Sequence, residues 1–341
     1  MIAGAPRAAP PRVTVAVTTW NRAHLVGRAV ASAVTQTFTD IEILVVDDGS
    51  TDATPAVLAR VGDPRVRVVR HDRNRGISRT RNTAIRLARG EWLAFLADDN
   101  EWAPDYLARQ LAFAASRPGA DVVYCRAQRR DGRMGNDGVM PEVIREGPVF
   151  RHVLGGWMPL VSCALVRLST LREVGEVDEA LKASEDWDLW LRLAQRTEFA
   201  GTSDVLAVRH LHRGAHLSLN YPFVASDTVV LDAKWKATVA ASGGRRAYRR
   251  WRGRLVATAE LVRTRQAADE GKLLDGLGSV GRMARHLPWS APHVIRGLVL
   301  TVLGPKAYVP LARVRSALSA RVAGLHDLAR GRTRHRKESS P

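Results

Sequence analysis

The feature that most constrains the fold of this chain is an alternation, over residues 13–125, between short apolar runs and stretches of helical periodicity. The apolar runs are rich in Val and Ile and begin at Val13, Ile41, Val66, Trp92 and Asp121. Helical spacing follows the first four of them, over residues 24–34, 52–60, 77–88 and 105–115. Strands that alternate with helices of this length predict βαβ units and a mostly parallel sheet flanked by helices. The runs are apolar throughout, as expected for strands that helices cover on both faces.

The pattern becomes less regular after residue 125. Residues 126–158 are rich in Gly, Arg and Asp and predict a long loop or flap. Apolar residues return at 160–168, helical spacing at 187–193, and a last strand is predicted at 205–212. We therefore predict a disordered N-terminus over 1–11, an α/β domain over 12–220, a basic helical extension over 221–329 and a disordered tail over 330–341.

Composition excludes several classes of protein. With 45% hydrophobic and 25% charged residues, the 341-residue chain has the composition of an ordinary globular protein. Two cysteines are too few for a disulfide scaffold or a zinc site made of cysteines alone. The first 12 residues lack the apolar stretch of a signal peptide, and no apolar run approaches the roughly 20 residues that span a bilayer. We expect a cytoplasmic protein.

The positive charge is concentrated in the last third of the chain. The formal net charge is +3 over residues 1–240 and +15 over residues 241–341. Such asymmetry is typical of a segment that meets a polyanion, such as anionic phospholipid, nucleic acid or an acidic glycan. The alternative is a solvated surface in a protein whose genome favours arginine codons, since 46 of the 52 basic residues are arginine.

Three acidic clusters lie where the pattern places the ends of strands or the start of a helix. Asp47-Asp48 follows one apolar run, Asp98-Asp99 follows another, and Glu185-Asp186 opens the helical stretch near residue 187. Each pair alone is more often a turn or a helix cap. Loops at the carboxyl ends of parallel strands are, however, where α/β proteins bind ligands. Carboxylates without cysteine favour Mg²⁺ or Mn²⁺, the cations that usually hold phosphates.

These clusters belong to a longer series of motifs. The series comprises VTVAVTTWNR at 13–22, QTFTD at 36–40, VVDDGSTD at 45–52, the Asn74-x-Gly76, Arg81-Asn82 and Gly90-Glu91-Trp92 motifs, FLADDNEW at 95–102 and SEDWDLWLRL at 184–193. In this order they resemble glycosyltransferase family 2 over about residues 12–220. The resemblance implies a GT-A fold, with residues 12–125 binding a nucleotide-sugar and 126–220 binding the acceptor. It also implies inverting transfer of the sugar from a donor that is usually linked to UDP.

The resemblance assigns roles to individual residues by matching position. The residues that match nucleotide-sugar-binding positions of the family are Thr18, Asn21, Asp48, Arg81 and Asp98. Of these, Thr18 and Asp48 match the positions that contact the nucleobase. Asp99 matches the main ligand of a divalent metal, Mn²⁺ or Mg²⁺, and Asp186 matches the catalytic base. His212 matches a late histidine near the metal or the diphosphate, although His210 and His216 are close enough to be alternatives. The chain departs from the family at Ala97, where many members carry the first Asp of the metal motif.

The partners implied are a nucleotide-sugar donor and a glycan, lipid-linked or small-molecule acceptor. The basic extension is expected to allow peripheral binding to the inner, anionic face of the membrane. Two other functions stay open. Ala97 allows a non-catalytic scaffold that binds nucleotide-sugars, and the basic extension allows a nucleic-acid-binding protein. Nucleic acid is disfavoured because no recognition motif or interleaved aromatic residues are present. A nucleotidyltransferase is disfavoured because no Gly-rich triphosphate loop lies near Thr18.

Overall fold

The computed structural model describes residues 9–131, 138–211 and 217–286, together with 295 and 298. The strands within these residues are β1 Val13–Thr19, β2 Ile41–Asp47, β3 Val66–Arg70, β4 Trp92–Ala97, β5 Asn100–Trp102, β6 Ala120–Asp131, β7 Gly138–Met140, β8 Ala164–Arg167 and β9 Glu198–Leu211. The helices are α1 Val26–Val34, α2 Thr54–Leu58, α3 Ile77–Leu87, α4 Tyr106–Ala115, α5 Phe150–Leu154, α6 Leu168–Val174, α7 Glu185–Arg196, α8 Tyr221–Asp269 and α9 Leu273–Ala284.

The described strands form one mixed sheet in the order β3-β2-β1-β4-β8-β6-β9-β5, with β7 paired to β6. The four strands β3, β2, β1 and β4 are parallel, as the alternation of strands and helices predicts. Strand β8 then pairs antiparallel with both β4 and β6, while β6 and β9 run parallel. The first half of the chain therefore makes a parallel sheet whose carboxyl edge faces one side of the molecule.

Both faces of β1, β2 and β4 are buried, whereas the edge strand β3 is partly exposed. Along β1, Val13, Val15 and Val17 pack with helix α1 on one side, whereas Ala16 joins the core on the other side. Burial on both sides removes the alternation of polar and apolar residues that a half-exposed strand shows, which explains the continuous apolar runs. Helix α1 buries Val26, Ala29, Val30 and Ala33 at helical spacing against this sheet.

The predicted loop over 126–158 is wrong over much of its length. Strand β6 continues through Arg126 to Asp131, and β7 and α5 lie within the same range. The cause is pairing between distant segments, because residues 126–131 lie in parallel register with 205–211 of β9. Pairing with β9 thus makes these polar and basic residues part of a strand, and the local sequence does not indicate this pairing.

Helices follow residue 220, as predicted, and the first of them shares the core of the α/β domain. Leu231, Trp235, Trp251 and Leu255 of α8 belong to the same apolar cluster as the residues of α7. The helix is interrupted at Gly243-Gly244, where Gly244 has a φ of +64°. Helix α9 packs on the second part of α8. None of the helices in the described part of the chain is both long enough and apolar enough to cross a membrane.

Candidate active site

The carboxyl ends of three neighbouring strands bring the predicted nucleotide-sugar residues together. Thr18 on the central strand β1 is in register with Val46 of β2 on one side and with Ala97 of β4 on the other. Asp48 and Asp98 are the next residues along β2 and β4 beyond Asp47 and Ala97. The three side chains predicted from separate motifs therefore lie along one edge of the sheet.

Asp48 is buried and anchors the loop between β3 and α3. Its carboxylate accepts hydrogen bonds from the backbone N–H of Arg75 at 2.9 Å and of Gly76 at 2.8 Å, and it lies 2.7 Å from Nδ1 of His71. Nε2 of His71 lies 2.9 Å from the hydroxyl of Thr83. Two contacts reach Oδ1 and one reaches Oδ2. A carboxylate has about four acceptor positions, so Oδ2 keeps one position for a further donor.

Asn21 holds the loop after β1 against the loop after β2. Its side-chain oxygen accepts from the backbone N–H of Thr51 at 2.8 Å and of Asp52 at 3.3 Å. Its own backbone N–H donates to the hydroxyl of Ser50 at 2.9 Å, and its φ of +50° turns the chain at this point. The structure thus places Asn21 beside the predicted site, where its carbonyl oxygen is already engaged by the protein.

Asp98 and Asp99 lie together, half-buried, just beyond β4. Burial and, to a smaller extent, the negative charge of Asp99 raise the pKa of Asp98 to about 7, against the opposing effects of the Thr19 hydroxyl and Arg22. Ser162 shapes the turn around the pair, because its hydroxyl accepts from the Ala97 N–H at 3.0 Å and from the Asn100 side chain at 2.8 Å. Two adjacent carboxylates that resist simultaneous ionisation fit a hard divalent cation.

The remaining predicted metal ligand cannot be placed. His212 and its alternative His216 lie outside the described residues. His210 is described, and its Nε2 lies 3.1 Å from the carboxylate of Glu101. Within the described ranges, no cluster of three or more His, Cys, Asp or Glu side chains has a metal-binding arrangement.

An ion pair connects the start of helix α7 to the nucleotide-sugar half. Arg81 on α3 donates from Nη1 to Oε1 of Glu185 at 2.6 Å, and both side chains are largely buried. The guanidinium also lies over the ring of Phe95 on β4, 5.6 Å from its centre. Burial raises the pKa of Glu185 to about 7 against the opposing effect of Arg81, and the charges of Asp186 and Asp227 add to the rise.

Asp186 follows Glu185 in the first turn of α7 and is half-buried. Its carboxylate has no hydrogen-bond or ion-pair partner among the residues that the structure describes. The ion pair of Glu185 therefore ties to helix α3 the turn that bears Asp186, a carboxylate that no described residue binds.

Sequence reasoning missed three residues that build this site. His71 could have been found, because it directly follows β3 at the same carboxyl edge. Glu185 could be seen only as part of a helix start, since its ion pair with Arg81 joins positions 104 residues apart. Asp227 on α8, whose carboxylate binds the segment before Glu185, lies in no motif and gave no signal.

Comparison with known proteins bears on the family and the fold of the chain. Residues 14–170 match the family described as Glycosyl transferase family 2. The chain carries a family 2 glycosyltransferase domain. It is 36% identical over 194 residues to the succinoglycan biosynthesis protein ExoO of Rhizobium meliloti, a match that covers 52% of this chain and 54% of ExoO. The chain thus spans about half the length of that relative.

Two solved structures support the fold. The structure of S. aureus TarS 1–349 in complex with UDP-GlcNAc superposes with a TM-score of 0.60 and 19% identity, covering 91% of this chain and 89% of TarS. The mannosyltransferase PcManGT of Pyrobaculum calidifontis, in complex with GDP-Man and Mn²⁺, has a TM-score of 0.53 and 20% identity, covering 87% of this chain and 89% of that one. The predicted GT-A fold with a helical C-terminal region is confirmed.

Proposed function

We propose that this glycosyltransferase moves a sugar from a UDP-sugar to an acceptor hydroxyl with inversion at the anomeric carbon. The observation that carries the proposal is the Arg81–Glu185 ion pair. It joins the helix start that bears Asp186 to helix α3, and the same Arg81 lies over Phe95 of β4, the strand that leads to Asp98 and Asp99. Donor-binding groups and a candidate base thus share one site.

The nucleotide is assigned to the edge formed by β1, β2 and β4. The free acceptor position of Asp48 suits an N–H of the base, and Thr18 offers a hydroxyl in the neighbouring strand. Arg81 supplies positive charge near the diphosphate. The complexes of TarS with UDP-GlcNAc and of PcManGT with GDP-Man support a nucleotide-sugar as the donor class.

A divalent cation, Mn²⁺ or Mg²⁺, is assigned to Asp99, with Asp98 beside it and His212 as a further ligand. Burial and the charge of Asp99 raise the pKa of Asp98, and a divalent cation beside the two carboxylates would relieve their repulsion, which supports this assignment. The presence of Mn²⁺ in the PcManGT complex supports it as well. When bound, such a cation stabilises the negative charge of the departing diphosphate.

Asp186 is assigned as the general base. An acceptor hydroxyl is a weak nucleophile, so a carboxylate must take its proton as the oxygen attacks the anomeric carbon. The bond from that carbon to the diphosphate breaks as the new carbon–oxygen bond forms, and the leaving group keeps the bonding electrons. Attack opposite the leaving group inverts the anomeric centre. A carboxylate that no described residue binds suits this task.

The acceptor is assigned to a growing glycan. The name of ExoO, which refers to succinoglycan biosynthesis, supports this class, and lipid-linked and small-molecule acceptors are the alternatives. A cytoplasmic enzyme bound peripherally to the membrane would meet either a free or a lipid-linked glycan.

The test is diphosphate release from a panel of nucleotide-sugars by the purified chain with Mn²⁺ or Mg²⁺. We expect turnover of one UDP-sugar that falls in the Asp186→Asn variant and persists in the matched control Glu173→Gln, which alters an exposed ion pair with Arg196. Binding of the donor without turnover by any variant would favour the scaffold. A gel shift with nucleic acid at physiological salt, and no donor binding, would favour the nucleic-acid-binding alternative.

A further inference from the structure

Asp227 on helix α8 binds the segment that leads into the candidate base. Its side chain is fully buried. Its two carboxylate oxygens accept from the backbone N–H of Lys182 at 3.0 and 3.1 Å, and Oδ2 also accepts from Ala183 at 2.7 Å and Ser184 at 2.8 Å. These three residues directly precede Glu185 and Asp186. One carboxylate therefore fixes three consecutive peptide groups at the start of α7.

The chemistry of a helix start explains why a carboxylate lies there. The first N–H groups of a helix lack partners within it, and they carry partial positive charge. The residue that precedes α7, Ser184, makes no capping hydrogen bond with its own side chain. Asp227 supplies negative charge and acceptors from another part of the chain, in hydrogen bonds that are stronger than those of neutral partners.

A second contact ties α8 to the other side of Asp186. The buried carboxylate of Asp188 accepts from Nε1 of Trp235 at 2.9 Å and from Nζ of Lys234 at 3.0 Å. Positions 234 and 235 follow position 227 by about two helical turns, so the three residues lie on one face of α8. The same face of α8 thus contacts the chain before Asp186 and after it.

We infer that Asp227 is a positioning residue for the transfer reaction: it holds the segment 182–184 and thereby sets where the Asp186 carboxylate lies. The inference rests on the proposed function, in which Asp186 is the base. It makes the helix after residue 220 part of the catalytic unit. Asp227 touches no substrate in this scheme, and its effect passes through the backbone.

The charge of Asp227 gives this role an electrostatic signature. The charged groups that face Glu185 are Arg81 on α3, Asp186 on α7 and Asp227 on α8. Asp227 raises the pKa of Glu185, so its replacement by Asn lowers the pH at which Glu185 ionises. Replacement of Asp232, which is not among the charges that face Glu185, should leave this titration unchanged.

The test compares Asp227→Asn with the wild type and with the control Asp232→Asn in the full chain. Asp232 lies on the same helix and accepts from the hydroxyl of Tyr248 at 3.0 Å. Misplacement of a reacting group by about 1 Å can cost on the order of 10²-fold in rate, and we expect a loss of that order in kcat. The KM for the donor should change far less, because Asp227 makes no contact with the nucleotide half. The pKa of Glu185, followed by NMR titration, should fall because the charge of Asp227 is removed.

Hydrogen exchange provides a readout that does not need activity. In Asp227→Asn the amides of 182–184 should exchange faster, while those of β1 and β2 stay protected. If the wild type turns over no donor, the proposed function fails, and faster exchange confined to 182–184 still supports the role of Asp227 in holding this segment. Unchanged exchange there, or a wild-type kcat in Asp227→Asn, would overturn the inference. If the Asn variant does not fold, Asp227→Glu, which keeps the charge and displaces the oxygens, is measured in the same way.

Discussion

The acidic residues of the site differ in which groups of the protein already bind their carboxylate oxygens. Asp48 and Asp227 are buried, and their carboxylates accept hydrogen bonds mainly from backbone N–H groups. Glu185 is held by an arginine. Asp186 is left without a partner among the described residues. Carboxylates that organise loops and carboxylates that can act on a ligand are thus distinguished by their hydrogen bonds, although they look alike in the sequence.

The first prediction concerns Asp186. Its replacement by Asn should lower turnover by roughly 10²–10⁴-fold, the usual effect of losing a general base, because the amide cannot take a proton. Binding of UDP, measured by calorimetry, should stay within a few-fold of the wild type. Near-normal turnover in Asp186→Asn, together with its loss in Glu185→Gln, would assign the base to Glu185 instead.

The second prediction concerns the pH dependence of stability. Folded Glu185 keeps its proton up to about pH 7, whereas its ordinary pKa is 4.5, so between these values the folded state binds more protons than the unfolded state. This group therefore lowers the free energy of unfolding as pH rises through that window. Relative to the wild type, Glu185→Gln should become more stable from pH 5 to pH 7 in urea unfolding.

Glu185→Gln also removes the ion-pair partner of Arg81, which lowers the free energy of unfolding by an amount that varies little with pH. The test therefore compares how steeply the free energy of unfolding changes with pH, not its absolute value. The control Glu173→Gln, at an exposed ion pair, should give a curve parallel to the wild type. Parallel curves for Glu185→Gln as well would contradict the raised pKa.

The third prediction concerns the cation. Chelation should stop turnover, and added Mn²⁺ or Mg²⁺ should restore it. Asp99→Ala should weaken binding of UDP much more than binding of uridine, because the cation meets the diphosphate and not the nucleoside. Full turnover in excess chelator would remove the metal from the scheme and point to Ala97 as the reason.

Secondary-structure elements were predictable wherever local pattern and tertiary environment agree. The four parallel strands and helices α1 and α3 lie within two residues of their predicted bounds, since continuous apolar runs and helical spacing both reflect burial in the sheet. Strand β6 was predicted only over 121–125, because its second half depends on pairing with β9. The contact of α8 with α7 was invisible for the same reason, since buried Asp227 resembles any polar helix residue in a sequence.

The fourth prediction concerns the turn that follows β2. Gly49 has a φ of +70°, and a Cβ atom there would lie 2.4 Å from the backbone of Arg73. Gly49→Ala should destabilise the fold by about 1–3 kcal/mol, the cost of a strained backbone position, and weaken UDP binding by displacing the loop that Asp48 anchors. Gly62→Ala is the matched control, since nothing lies within 4 Å of its Cβ position. Equal thermal unfolding of the two variants would contradict this account.

The molecule as a whole separates a nearly neutral catalytic part from a strongly basic C-terminal part. Six arginines and no acidic residue lie between 245 and 254, and residues 287–341 carry a formal net charge of +8. Helix α9 also exposes Leu273, Leu274 and Leu277. Exposed leucines near basic residues are typical of a surface that lies on an anionic membrane. An apolar stretch at 297–304, flanked by Arg296 and Lys306, would suit the same surface, and it lies outside the described residues except for Leu298.

The last prediction is that the full chain sediments with liposomes that contain anionic lipid, and less so at high salt. Each basic residue near an anionic surface contributes about 1 kcal/mol, so a few aligned arginines suffice for peripheral binding.

Truncation after Asn220 is unsuitable for this test, because it would also remove Leu231, Trp235, Trp251 and Leu255 from the apolar core. A chain ending at His286 keeps α8 and α9 and tests the last 55 residues alone, while Leu274→Asp tests α9. Loss of sedimentation in the shortened chain would place the contact in the tail, and loss in Leu274→Asp would place it on α9. If the full chain stays in the supernatant with every lipid and salt concentration, the charge serves the solvated surface, and the enzyme needs no membrane to meet its acceptor.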